Sequence, residues 1–218
     1  MFGFPCLMRH DCLTNAQEAL MTVTRHYPTP IGTLALVSDG THLLSCEFVE
    51  SHAAELEPPA TDVESPATTS SSETEPAHDP ALDHHDPVLD QTVEWLDEYL
   101  AGKNPSIADL PLRPAGTEFR QKVWDILRTI PYGELMTYGE IAKQIAQAEG
   151  KSIMSSRAVG GAVGHNPLPI IVPCHRVVGG SRNLTGYSGG MDRKVWLLRH
   201  EGVELAGMRM PDGSTLDV

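Results

Sequence analysis

Cysteine is scarce in this sequence, and its copies are unpaired. Cys6, Cys12, Cys46 and Cys174 form no CxxC and no regular framework among 218 residues. That excludes a disulfide-stapled scaffold and fits a reducing compartment. Long apolar runs are also missing: no stretch reaches the roughly 20 residues that a membrane-spanning helix needs. The segment Met1 to His10 has neither a long apolar core nor a small-residue cleavage site, so it does not read as a secretion signal. The expectation is a soluble, cytoplasmic protein with no membrane association. Basic residues are lacking from the first half. Residues 1–112 hold 3 Lys/Arg against 19 Asp/Glu, and residues 113–218 hold 13 against 10, a balance of −16 and +3 within the net −13. The total alone argues against a nucleic-acid partner, but the acidic front masks a mildly basic back half.

What is present falls into distinct stretches. Residues 22–50 alternate short apolar runs with turn signals. Thr22 to Tyr27 is followed by a turn at Pro28-Thr-Pro-Ile-Gly, then Leu34 to Ser38, an Asp39-Gly40 turn and Leu43 to Phe48. That pattern predicts a small antiparallel sheet. Residues 57–87 are dominated by Pro, Ser, Thr, Ala and acids, with no aromatic residue. They cannot bury enough apolar surface to offset their ordering entropy, and read as a disordered acidic insertion. The spacing of His78, His84 and His85 within it matches no metal-ligand pattern. From Pro87 to Ala101, Val88, Leu89, Val93, Leu96 and Leu100 recur at helical spacing, and Gly102 ends the helix. After a proline-rich connector, Thr117 caps a helix carrying Phe119, Val123, Trp124 and Leu127, stopped by Pro131-Tyr-Gly. Thr137-Tyr-Gly-Glu140 has capping-box spacing ahead of Ile141 and Ile145. Ser155 or Ser156 opens a further helix, and two short helices in succession predict a helix-turn-helix. Gly160, Gly161 and Gly164 each cost about 1 kcal/mol relative to Ala inside that second helix. Either tight packing on a neighbouring helix or close approach to a nucleic-acid groove accounts for them.

The chemistry centres on Pro173-Cys174-His175-Arg176-Val177, preceded by the strand-like run Pro169 to Val172. A thiol reacts as its thiolate, and an adjacent base makes the thiolate available near neutral pH. A buried structural cysteine beside a chance histidine is the alternative, because free cysteine is among the most buried residue types.

The flanking residues decide between these. Gly116-Thr-Glu-Phe-Arg-Gln-Lys-Val-Trp124, Ile130-Pro-Tyr-Gly-Glu134, Thr137-Tyr-Gly-Glu-Ile-Ala142, Ser156-Arg-Ala-Val-Gly160, Asn166-Pro167, the Pro-Cys-His-Arg core, Gly186-Tyr-Ser-Gly-Gly190 and Leu197-Leu-Arg-His-Glu-Gly202 follow in order. Over residues 87–205 the chain resembles the O6-alkylguanine-DNA alkyltransferases, the methylated-DNA–protein-cysteine methyltransferases. Residues 22–50 look weakly like the N-terminal sheet of that family.

The resemblance implies an α/β protein. An N-terminal extension (1–21) precedes a small ribonuclease-H-like domain (22–110) that carries the acidic insertion. A helical, winged-helix-like DNA-binding alkyltransferase domain (111–210) and a tail (211–218) follow. The implied partner is double-stranded DNA containing O6-alkylguanine, and O4-alkylthymine by extension. The protein is expected to be a monomer with no cofactor and no metal, because Cys6, Cys12, Cys46 and His26 do not match the zinc set of some relatives. Cys174 is implied as the irreversible alkyl acceptor, His175 as its base through a water, Glu201 as the carboxylate orienting His175, and Asn166 as a brace beside the site. The family docks its second helix in the minor groove, which implies DNA contacts from Tyr138, Arg157, Ala158, Gly160, Gly161 and Ala162, with Arg157 filling the space of the flipped nucleotide. Tyr138, Val177, Tyr187 and Ser188 are implied at the guanine, with the carbonyls of Cys174 and Val177 accepting from its exocyclic amine. The stretch Ala146 to Met154 is longer than this turn is in the family. A sensor that flips the base without repairing it lacks the acceptor cysteine. A cysteine hydrolase leaves Arg157 and the glycine-rich helix unexplained.

Overall fold

The computed structural model describes residues 22–49 and 85–216. The extension 1–21 with Cys6 and Cys12, residues 57–84 of the acidic insertion with His78 and His84, and the last two residues of the tail lie outside the described residues. His85, at the edge of that insertion, pairs with Asp90 at 2.9 Å.

Strands β1 (Val23–Thr29), β2 (Gly32–Ser38) and β3 (Leu43–Phe48) form an antiparallel meander in the order β1-β2-β3. Leu34 and Leu36 alternate inward on β2 and are fully buried. The first turn is tighter than its prolines suggest, because the ladder continues to Thr29↔Gly32. Thr29 Oγ1 accepts from the Ile31 amide at 3.1 Å and donates to the Gly32 carbonyl at 2.6 Å, which closes the reversal within two residues. Pro28 is tolerated because β1 is an edge strand.

Helix α1 (Pro87–Leu100) covers this sheet. Asp86 caps it, accepting from the amides of Val88 and Leu89, with Pro87 at the first helical position. Its buried face comprises Val88, Leu89, Thr92, Trp95, Leu96 and Tyr99, whereas Val93 and Leu100 are only partly buried. The face is therefore rotated from the aliphatic stripe seen in the sequence, because Trp95 and Tyr99 bring more area to the interface.

The second unit opens with α2 (Glu118–Arg128), capped by Thr117 as its position implies. Helix α3 (Tyr138–Ala148) begins with the capping box: Thr137 Oγ1 accepts from the Glu140 amide, and the Glu140 carboxylate accepts from the Thr137 amide at 2.7 Å. Helix α4 (Ser156–Gly164) is capped by Ser155. The three helices pack on one another, and Trp124 Nε1 donates to the Ala162 carbonyl at 2.9 Å. The first three residues of the long turn prove to be helix, since α3 runs to Ala148 and buries Ala146. Glu149 then ties the turn down, pairing with Lys122 at 2.9 Å and Lys151 at 2.6 Å, while Ile153 is left 82% exposed.

Two-residue strands β4 (Met136–Thr137) and β5 (Val177–Val178) pair in parallel, and α5 (Met191–His200) closes the fold. Pro169 to Val172 does not form the expected strand. It is a buried turn in which the Val172 amide bonds the Leu168 carbonyl at 2.8 Å and Ile170 adopts φ 71°. A continuous apolar run is equally compatible with a buried turn, and Asn166 selects the turn here, as described below.

One apolar core runs from the sheet into the helices. The units are also joined by polar contacts. The Cys46 amide donates to the Pro167 carbonyl at 2.8 Å, Arg193 Nε donates to the Ile31 carbonyl at 2.6 Å, and the Arg193 guanidinium lies 4.2 Å from the centre of the Phe48 ring.

Candidate active site

Cys174 starts a single turn of 3-10 helix, Cys174–Arg176, placed by the Asn166 side chain. Asn166 is buried. Its Nδ2 donates to the Val172 carbonyl at 2.8 Å and to Cys174 Sγ at 3.1 Å, and its Oδ1 accepts from the Leu168 amide at 3.1 Å. One side chain thus folds the preceding turn and supplies a donor to the sulfur. Burial pushes the Cys174 thiol up from its ordinary value. The Asn166 bond and the positive charge of Lys194 oppose that rise.

His175 is fully buried, and its Nε2 lies 2.7 Å from Glu201 Oε1. Burial alone raises a carboxyl, but His175 and Arg176 hold Glu201 far below its ordinary range. An ionised carboxylate only accepts, so His175 Nε2 carries the proton and Nδ1, buried with no hydrogen-bond partner among the described residues, keeps its lone pair. For His175 burial outweighs the pull of Glu201 and lowers the proton affinity of the ring. At rest the pair is a neutral thiol beside a neutral imidazole, the form in which the ring accepts a proton.

Glu201 is the most heavily bonded group in the site. Arg176 Nε and Nη2 reach its two oxygens at 2.8 and 2.9 Å, Tyr99 donates at 2.7 Å and the Gly133 amide at 3.2 Å. Gly133 has φ 75°, and a Cβ added there meets the Glu201 carbonyl at 2.9 Å, so the Pro131-Tyr-Gly turn needs glycine for close approach as well as for conformation. Lys194 was not foreseen as a site residue. It is fully buried, donates to the carbonyls of Val177 at 2.6 Å and Thr185 at 3.2 Å, and burial pushes its pKa down to about 8. The only signal for it was the clustering of charge just after Gly186-Tyr-Ser-Gly-Gly190. For Tyr99 there was none.

The expected guanine-facing residues are only partly gathered. Val177 is buried, its carbonyl is taken by Lys194, and its amide donates to the Cys174 carbonyl. The Tyr187 hydroxyl is buried and close enough to Cys174 for each to perturb the other, burial being the main reason its phenol is raised. Ser188 lines a cavity of about 380 Å³ with Asn166, Pro169, Phe48 and Arg193. Tyr138 lines a separate concavity of about 570 Å³ with Arg157, Ser156, Gly160 and Gly180. The Tyr138 hydroxyl accepts from Thr185 Oγ1 at 3.1 Å, which leaves its own proton available.

On α4, Arg157, Ala158 and Gly161 are exposed, whereas Ala162 is 3% exposed and packs inward with Val159 and Val163. The Ala162 methyl is therefore not on the outer face, a correction to its expected place. The glycines are not packing devices. A Cβ at Gly161 or Gly164 meets nothing within 4 Å, and one at Gly160 reaches the Tyr138 ring only at 3.7 Å.

The fold and this site define a two-part α/β protein whose second, helical unit holds a buried cysteine next in sequence to a hydrogen-bonded His–Glu–Arg cluster. Residues 23–114 match the family model for the ribonuclease-like domain of 6-O-methylguanine DNA methyltransferase, and residues 118–203 match the model for its DNA-binding domain. A methylated-DNA–protein-cysteine methyltransferase of Haemophilus influenzae is 36% identical over 82% of this chain and 85% of its own length. One from Shigella flexneri is 50% identical over 49% of this chain, and the chain spans 60% of that relative's length. The crystal structure of Mycobacterium tuberculosis OGT in complex with DNA superposes with a TM-score of 0.59 at 40% identity, covering 82% of this chain and 92% of that one. The chain belongs to the 6-O-methylguanine DNA methyltransferase family.

Proposed function

We propose that this protein repairs alkylated DNA by moving the alkyl group from O6 of a flipped guanine to Cys174, once per molecule. O4 of alkylated thymine is a second substrate by the same ether chemistry. The observation that carries this reading is the buried Asn166–Cys174 and His175–Glu201 arrangement, with a donor on the sulfur and, on the next residue, an imidazole whose Nδ1 has no partner among the described residues.

In the reaction the Cys174 thiol gives its proton to His175 Nδ1 through a water. The sulfur attacks the alkyl carbon, the S–C bond forms as the C–O6 bond breaks, and the guanine leaves. Tyr138 donates toward guanine N3, neutralising charge that builds up on the leaving base. The net change exchanges one thiol proton for one alkyl group. A thioether is not hydrolysed under mild conditions, so the protein is spent.

The target atom lies inside the duplex, and the nucleotide must leave the stack. We assign that step to α4 in the minor groove, with Arg157 occupying the vacated space, Ala158, Gly160 and Gly161 allowing close approach, and Tyr138 rotating the nucleotide. Tyr187 and Ser188 line the base pocket with Val177, whose carbonyl retains a second lone pair beside its Lys194 bond. The α2–α3–α4 unit then acts as a winged-helix-like domain over 111–210, behind a ribonuclease-H-like domain over 22–110. The protein works as a monomer without cofactor or metal.

Intact mass after incubation with a duplex containing O6-methylguanine tests this. The expected result is one added methyl on the wild type and none on Cys174→Ala. Tight, damage-dependent binding without an adduct overturns it.

A further inference from the structure

The first domain reaches the Glu201 carboxylate of the second through the side chain of Tyr99. Tyr99, on the last turn of α1, is 1% exposed, and its hydroxyl donates to Glu201 Oε1 at 2.7 Å across 102 positions of sequence. The same oxygen is approached by His175 Nε2 at 2.7 Å and Arg176 Nη2 at 2.9 Å. Three donors thus share Oε1, and only two, from Arg176 and Gly133, use Oε2.

The phenol is held firmly. Its ring stacks on Trp95 at 5.5 Å and meets Tyr132 edge-on at 6.0 Å. Its carbonyl is 2.7 Å from His200 Nε2, and the His200 ring stacks on Trp196 at 4.9 Å. Burial raises Tyr99 well above the ordinary tyrosine value, so it remains a donor wherever the protein is folded.

We infer that Tyr99 is a positioning residue for alkyl transfer, governing how much of the Glu201 negative charge reaches His175 and so setting the proton affinity of the relay. The inference rests on the alkyl-transfer reading of Cys174. Donors on one oxygen compete for its electron density, and the hydrogen bond that Tyr99 makes weakens the one left for His175. Removing it strengthens the bond to the imidazole and stabilises the imidazolium. The other charged groups acting on the imidazole are Arg176 and Lys194, and Tyr132 lies beside the phenol; none of them replaces the lost donor on Oε1 except Arg176, which is already bonded there.

The test compares the wild type with Tyr99→Phe in the full chain. Single-turnover methyl transfer is followed between about pH 5 and 9, and the His175 ring is titrated by nitrogen-15 NMR in unreacted protein. In Tyr99→Phe, His175 is expected to titrate higher by about one pH unit. The acid limb of the rate profile moves with it, and the rate on that limb falls by about tenfold. A second variant carries 3-fluorotyrosine at position 99, a stronger donor of nearly the same size, and shifts both readouts the opposite way. An unchanged His175 titration, or shifts of the same sign in both variants, overturns the inference. A uniform slowing with an unmoved limb does so too, since it leaves Tyr99 only a packing role. If the wild type takes up no methyl, the transfer reading fails, and the His175 titration alone decides whether Tyr99 sets the relay.

Discussion

Asn166 Nδ2 donates to Cys174 Sγ at 3.1 Å while the same side chain closes the turn that delivers the cysteine. The turn that delivers the cysteine and one hydrogen bond on its sulfur therefore both depend on a single amide. In Asn166→Ala the Leu168 amide and Val172 carbonyl lose buried partners, at about 1–3 kcal/mol per unsatisfied group. The thiol also loses the bond that opposes its upward shift. We expect a lower Tm, a Cys174 thiol titrating higher by ultraviolet absorbance of the thiolate, and methyl transfer slowed on the order of tenfold or more. Asn166→Asp separates the two effects. It keeps the acceptor for Leu168 but sets a carboxylate against the sulfur, so the thiol rises further than in the alanine variant.

Acid should attack the relay in two stages. His175 titrates below its ordinary 6.5 in the folded chain because burial disfavours the charged ring. The unfolded chain binds that proton first, so stability present above pH 6.5 is lost as the pH falls below it. Glu201 is likewise depressed from its ordinary 4.5, burial being overcome by His175 and Arg176. Its contribution is complete above pH 4.5 and disappears as the pH falls toward its folded value. Urea unfolding across this range is expected to show a decline below pH 6.5 that steepens below 4.5. In Glu201→Gln the steeper limb flattens, and stability near pH 7 drops by about 3–5 kcal/mol because Arg176 is left buried without its counter-charge. A Glu201→Gln curve parallel to that of the wild type below pH 4.5 contradicts this account.

Lys194 extends the same trend to alkaline pH. Burial lowers its pKa from 10.5 to about 8, so between those values the unfolded chain binds more protons than the folded one. This residue therefore makes stability rise with pH across that window, by at most about 1.4 kcal/mol per pH unit. Above pH 9, Cys174 and Cys46, both raised by burial, pull the other way. In Lys194→Met the rise from pH 8 to 9 should vanish. Methyl transfer at neutral pH should slow, because the positive charge that eases thiolate formation is gone.

How far the sequence disclosed the site depended on whether a signal was local. Caps are local, and Thr117, Thr137 and Ser155 each bond the amide that their position implies. The Cys–His pair is local too, and Glu201 came with the family resemblance. Tyr99 and Lys194 were not legible: one is a helix residue whose partner lies 102 positions away, and the other gains its role only when buried beside Val177 and Thr185. Pro169 to Val172 misled because apolarity reports burial rather than conformation, and the Asn166 bonds that impose a turn are invisible in composition. Ala162 misled because a helix of nine residues has an inner face too, and the Trp124 bond to its carbonyl marks it.

The glycines of α4 offer the sharpest separation of stability from DNA binding. Gly161 lies inside the helix on its exposed side, and an added Cβ meets nothing within 4 Å. Nothing in the protein opposes alanine there, and Gly→Ala at such a site stabilises a helix by about 0.5–1 kcal/mol. If α4 enters a minor groove, the same methyl projects into the groove wall. Gly161→Ala is therefore expected to raise Tm by a few degrees while weakening affinity for a duplex containing O6-methylguanine. Gly161→Leu loses more affinity, about tenfold or beyond, and still folds. Because no charge changes, the slope of log Kd against log salt stays as in the wild type. Arg157→Ala should instead reduce that slope and slow transfer, while Tm is unaffected. Paired thermal melts and fluorescence-anisotropy titrations at two salt concentrations decide the matter. A Gly161→Leu chain that binds as tightly as the wild type removes α4 from the DNA interface.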